Sequence, residues 1–126
     1  MKLRAAKKSI IALSLLGISS FAMAADFADG FEAATAQDYK KAASIWQTLA
    51  EKGDASAQFN LGMLYHSGIA GYMNEEEAVK WYQKAASNGN YRAQEYLTVG
   101  YREGWFGLKK DDAKADFWQA KLDQQG

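Results

Sequence analysis

Apolar residues return along this chain at helical rather than alternating steps. Tyr39, Ala42, Ala43, Trp46, Leu49 and Ala50 fall at i, i+3, i+4 and i+7, the spacing that lines one face of a 3.6-residue helix. Ala57, Leu61, Leu64 and Tyr65 form a second stripe, Ala78, Trp81, Tyr82, Ala85 and Ala86 a third, and Ala115 with Trp118 belongs to a last one. Ahead of these, Phe27, Phe31 and Ala34 predict a short first helix. Between the stripes stand Gly53, Gly68, Gly89 and Gly104, residues suited to the left-handed position that closes a helix. Asp38, Asp54, Asn74 and Asp111 each precede a stripe, where a side-chain oxygen can cap the free amides of the next helix. Proline is absent throughout. The pattern predicts an all-α chain of helices joined by short turns.

The stripes also repeat. Ala57, Gln58, Leu61 and Tyr65 reappear 36 positions on as Ala93, Gln94, Leu97 and Tyr101, and Gly53 and Gly68 as Gly89 and Gly104. Past the next loop the offset becomes 37, so that Ala115, Trp118, Lys121 and Gly126 answer Ala78, Trp81, Lys84 and Gly89. Self-similarity at this period predicts an α/α superhelical solenoid, with about three helix-turn-helix copies at roughly 26–53, 54–89 and 90–126. Gly62 lies inside a helix, where glycine costs about 1 kcal/mol relative to alanine. Its presence predicts a neighbouring helix passing too close for a side chain. Thr98 takes that place in the third copy, where looser packing is expected. Leu122 and Asp123 replace two alanines of the preceding copy, the polar turn that an end cap requires.

Taken together these residues resemble the Sel1-like repeat family. The second copy carries Ala57, Leu61-Gly62, Tyr65, Gly68, Ala78, Trp81, Lys84-Ala85-Ala86 and Gly89 in the family's order, and departs from it at Ala70, Gly71 and Glu77. The first copy, DYKKAASIWQTLAEKGD, looks like the opening half-repeat of exported bacterial members. The resemblance implies stacked helical hairpins forming a curved superhelix, used as a protein-protein interaction adaptor. Relatives serve as envelope scaffolds, and some as immunity proteins that block a secreted effector. Two alternatives stand beside this: an envelope hydrolase of the β-lactam-binding type, and a structural envelope protein with no defined partner. The relatives linked to β-lactams staple their helix pairs with disulfides, and this chain has no cysteine.

The first 24 residues change the charge and the expected location. Lys2, Arg4, Lys7 and Lys8 precede an apolar run, Ile10 to Ile18, and Ala22-Met23-Ala24 offers an A-x-A site, the three regions of a secretory signal peptide. The run is too short and too broken by Ser14, Gly17, Ser19 and Ser20 for a transmembrane anchor, which takes about 20 apolar residues. Cleavage after Ala24 is expected, leaving a domain at 25–126 in the periplasm or outside the cell, with no stable membrane insertion. Four basic and no acidic residues leave with the leader, so 11 basic face 15 acidic residues in what remains. Polyanion binding depends on clustered Lys and Arg, which makes nucleic acid an unfavoured partner.

Candidate chemistry is sparse. His66 is the only histidine and has no cysteine to join it in a metal site; its place beside the core stripe predicts a surface position near a helix end. Ser67 adjoins it, but neighbours on a helix point about 100° apart, so no nucleophile faces a base. Glu75, Glu76 and Glu77 follow the cap Asn74, where carboxylates favour the helix dipole. No catalytic residue, metal or cofactor is assigned. Two partner-binding surfaces are expected. One is the inner wall of the superhelix, where Asn60, Met63 and Ser67 lie to one side of the stripe and recur as Tyr96, Val99 and Glu103; Met63 and Val99 either contact a partner or pack between copies. The other is the loop carrying Trp105 and Phe106, which either fold back over the stack or stand out as an anchor. The sequence names neither partner nor oligomeric state.

Overall fold

The computed structural model describes residues 26–126 and contains six α-helices, with no strand among those residues. The expected signal peptide, 1–24, lies outside the described residues. Helix α1 spans 26–35. It is followed by α2 (Tyr39–Glu51), α3 (Ala55–Ser67), a 3₁₀ turn (Ile69–Gly71), α4 (Glu75–Ser87), α5 (Tyr91–Glu103) and α6 (Asp112–Gln125). Each of the last five helices starts on a side-chain cap. Asp38, Asp54, Asn74, Asn90 and Asp111 accept from the amides of Lys41, Ala57, Glu77, Ala93 and Lys114 at 2.8–3.1 Å, each cap contributing about 1 kcal/mol.

The turns are built twice over. The amides of Asp54 and Asn90 donate to the carbonyls of Leu49 and Ala85, and those of Asn74 and Asp111 to Tyr65 and Tyr101. Each helix packs on its neighbours in sequence, giving a solenoid in which α1, α3 and α5 are the first helices of successive pairs. A helix inside such a stack is covered from two sides. Helix α3 therefore buries Ala57, Gln58, Phe59, Leu61, Gly62 and Leu64, a wider face than the single stripe predicted. Helix α6 has a neighbour on one side only among the described residues, so Trp118, expected in the core, is half-buried and Ala115 alone is fully covered.

Gly62 is a point of close approach in the hairpin α3–α4. A Cβ built there would lie 2.7 Å from the Tyr82 ring and 3.3 Å from the Ala78 carbonyl oxygen. Tyr82 is 1 % exposed and wedged against Phe59 and Tyr96, so its ring has nowhere to retreat. In the third copy Thr98 is buried with its hydroxyl donating to the Gln94 carbonyl. The residue facing it is Gln119 rather than a tyrosine, and an open cleft remains between α5 and α6, the looser meeting that the substitution predicts.

A second repeated device joins one hairpin to the next. Gln58, 3 % exposed, donates through Nε2 to the Ala50 carbonyl and accepts through Oε1 from Asn88. Gln94 repeats this toward the Ala86 carbonyl and Gln125. A buried amide is tolerable only when such bonds are made, so each glutamine fixes the register of its helix against two others.

Three outcomes follow for purified protein. Gly62→Ala, despite its better helix propensity, loses about 1–3 kcal/mol by overpacking against Tyr82, read as a lower urea midpoint. Gln58→Leu removes both bonds that the buried amide makes, to the Ala50 carbonyl and to Asn88, costing about 1–3 kcal/mol in the same assay. Burial first, then the neighbouring Tyr96, holds the Tyr82 hydroxyl far above the ordinary tyrosine value. The unfolded chain therefore releases this proton first, so the contribution of Tyr82 to stability in urea is fully present below about pH 10 and is lost as pH rises beyond it; Tyr82→Phe flattens that fall.

Candidate protein-docking wall

The three residues predicted on α3 meet in one place. Asn60, Met63 and Ser67 line an open groove of about 230 Å³ together with Phe31 and Ala34 of α1, Tyr39 and Trp46 of α2, Phe59, Leu64, Ile69 and, from α5, Arg92. Phe31 is 63 % exposed, Met63 37 % and Ile69 41 %, so the apolar lining faces outward rather than closing on itself. Asn60, Ser67, Tyr39 and Arg92 supply polar atoms. The groove is therefore a mostly apolar trough with hydrogen-bonding edges, the composition that holds a protein segment by burial and orients it by a few polar contacts.

The corresponding strip on α5 does not continue that trough. Tyr96 is half-buried in an aromatic cluster, its ring centroid 5.1 Å from Tyr82, 5.8 Å from Phe59 and 5.3 Å from Phe106. Val99 borders the separate cleft between α5 and α6, and Glu103 is exposed at the end of α5. The repeat offset carried these positions to equivalent places on the helix, but the side chains that surround them differ. The loop pair also divides. Trp105 is exposed, whereas Phe106 folds back, half-buried, onto Tyr96 and His66, so the two expected alternatives divide between the two residues.

His66 is not the plain surface residue expected from its place beside the stripe. It is half-buried, with Nδ1 3.2 Å from the Tyr82 hydroxyl and its ring edge-on to Phe106 at 4.7 Å. Burial comes from the loop after α5, a partner that no pattern within α3 announces. Ile69 and Arg92 were likewise missed, their only signal being large side chains outside a core stripe, and Phe31, read with Phe27 and Ala34 on the stripe of the first helix, is instead exposed on the trough.

Among the described residues no three His, Asp or Glu side chains gather into a metal set, and no helix is long and apolar enough to cross a membrane. Glu75, Glu76 and Glu77 occupy the first turn of α4 behind the Asn74 cap, with Glu77 paired to Lys80 at 3.6 Å, in keeping with a dipole role.

A family model described as Sel1 repeat matches residues 21–54, 55–90 and 93–118. Among solved structures the chain is similar to a protective antigen of uropathogenic Escherichia coli with an SLR fold, at 37 % identity and TM-score 0.63, over 71 % of this chain and 19 % of that one. It is similar also to a Sel1 repeat protein from Oxalobacter formigenes, at 34 % identity and TM-score 0.61, over 68 % of this chain and 65 % of that one. Among characterised proteins, DAP3-binding cell death enhancer 1 of Rattus norvegicus is 43 % identical over 60 residues, 48 % of this chain and only 12 % of that protein. With three repeats matched in sequence and the solenoid shared with solved relatives, the chain belongs to the Sel1 repeat family.

Proposed function

We propose that this protein is an exported adaptor whose inner wall binds another protein. Sel1 repeat proteins generally mediate protein-protein interaction, and the relatives bear this out in their names, one as binding DAP3 and another, HRD3A of Arabidopsis thaliana, as a component of an ERAD-associated ubiquitin ligase. The observation that carries the reading is the outward-facing apolar trough of Phe31, Met63 and Ile69, edged by Asn60 and Arg92 and shaped by three successive first helices. Stacked repeats typically place function on such an extended concave surface. Trp105, in the loop after α5, adds a large exposed aromatic, the residue type that most often dominates binding energy at an interface. The leader pattern supports a periplasmic or secreted location, and a domain of this size suits an immunity or inhibitor protein that occupies a secreted effector.

The test is capture in the native envelope. Tagged protein carrying a photo-crosslinking residue at Ile69 should yield a discrete product, and the purified pair should bind. Met63→Lys places a charge in the trough and should weaken that binding by ten-fold or more, with Trp105→Ala weakening it separately while helical circular dichroism is unchanged. A Met63→Lys protein that binds the same partner equally well places the interface elsewhere.

A further inference from the structure

The loop after α5 contains an anomaly that the repeat makes visible. Ala70 and Phe106 are equivalent at the 36-residue offset, and both hold positive φ, +54° and +61°. A left-handed backbone is tolerable for a small residue in a turn and unfavourable for a bulky one. Strain of this kind persists only where surrounding contacts hold it, and it is found most often at switch and binding regions. Here the holding contacts are explicit. The Phe106 ring stacks on Tyr96 at 5.3 Å and meets the edge of His66 at 4.7 Å. Behind His66 stands the Tyr82 hydroxyl. Room for the ring comes from Gly100, where a built Cβ would approach Phe106 to 3.1 Å and Leu108 to 2.8 Å.

In the preceding copy the sizes are exchanged. Leu64 stands at the position of Gly100 and Ala70 at that of Phe106, so the second copy fills this space from its own helix and the third fills it from a loop. The difference matters because a helix side chain is fixed by its backbone, whereas a loop residue can leave. Phe106 is half-buried, and its seat adjoins the wall described above through Tyr96 and Phe59.

We propose that the seat formed by His66, Tyr96 and Gly100 is a subsite for an aromatic side chain of the partner, and that Phe106 is its internal occupant. The partner's ring enters as Phe106 leaves, and the loop regains an ordinary backbone conformation on release. The chemistry of the seat selects the ring: the Tyr96 face that stacks on it and the His66 imidazole set perpendicular to it match a phenyl or phenol group and have no equivalent interaction for a branched aliphatic chain. This rests on the reading of the wall as a protein-docking surface, but its test needs no partner.

The probe is N-acetyl-4-fluorophenylalaninamide, followed by ¹⁹F NMR on wild-type protein and on Phe106→Ala and Phe106→Gly, the latter also relieving the left-handed backbone. Both variants should bind the probe at least ten-fold more tightly than wild type, with displacement by N-acetylphenylalaninamide and not by N-acetylleucinamide. Equal affinity for all three proteins, no binding to either variant, or equal displacement by the leucine amide overturns the proposal. So does loss of the native helical spectrum in both variants, since the ring would then be a fixed part of the core. Failure here leaves the Met63→Lys capture result untouched, and the reverse holds.

Discussion

Close approach between the two helices of a hairpin is the constraint on which the other features depend. At Gly62 the backbone of α3 comes near enough to α4 that the Tyr82 ring occupies the place of a side chain. That contact sets the distance between helices, and with it which faces are left to carry a groove. It also explains why the seams are lined with alanine: Ala57, Ala78, Ala85, Ala86 and Ala93 are all at most 2 % exposed, and larger residues there would push the helices apart. Tight seams save volume in the interior and send the large side chains outward, to the wall and to the loops.

Apolar contact alone would let such smooth faces slide, and two polar devices prevent it. Side-chain caps fix where each of the last five helices begins, while Gln58 and Gln94 tie α3 and α5 to the end of the helix before each and to the far end of its own hairpin. A one-residue slip would break both bonds of a buried amide at once. Register is thus held by directional bonds and spacing by packing, a division of labour that lets the wall residues vary without loss of the scaffold.

Most of the scaffold was legible because it is local. Caps, stripes and the 36-residue offset each concern residues near one another in the chain, and the structure places α2 to α6 where those signals put them. The site was legible in part. Asn60, Met63 and Ser67 share a helix face, so helical geometry alone unites them, and all three line the trough. What could not be read was set by meetings between distant segments. His66 is covered by Phe106, forty residues on, and Arg92 closes a groove built mainly by α1 and α3. Tyr96 and Val99 followed the offset faithfully and still arrived in different surroundings, because the loop after α5 carries bulk that its predecessor lacks. The exchange of Leu64 and Ala70 for Gly100 and Phe106 is the one trace of this in the sequence, and it gains meaning only when both loops are seen to share a left-handed residue.

The central claim is that the face formed by α1 and α3 is where this protein meets its partner. Hydrogen-deuterium exchange of the purified complex, compared with the free protein, tests it most directly, because backbone protection reports location without altering a residue. The account predicts added protection at 26–35, along Asn60 to Ile69 and in the loop around Trp105, with α2 and α4 unchanged on their outer faces. Protection concentrated instead on α4 and α6, with the trough exchanging as it does in the free protein, would contradict it.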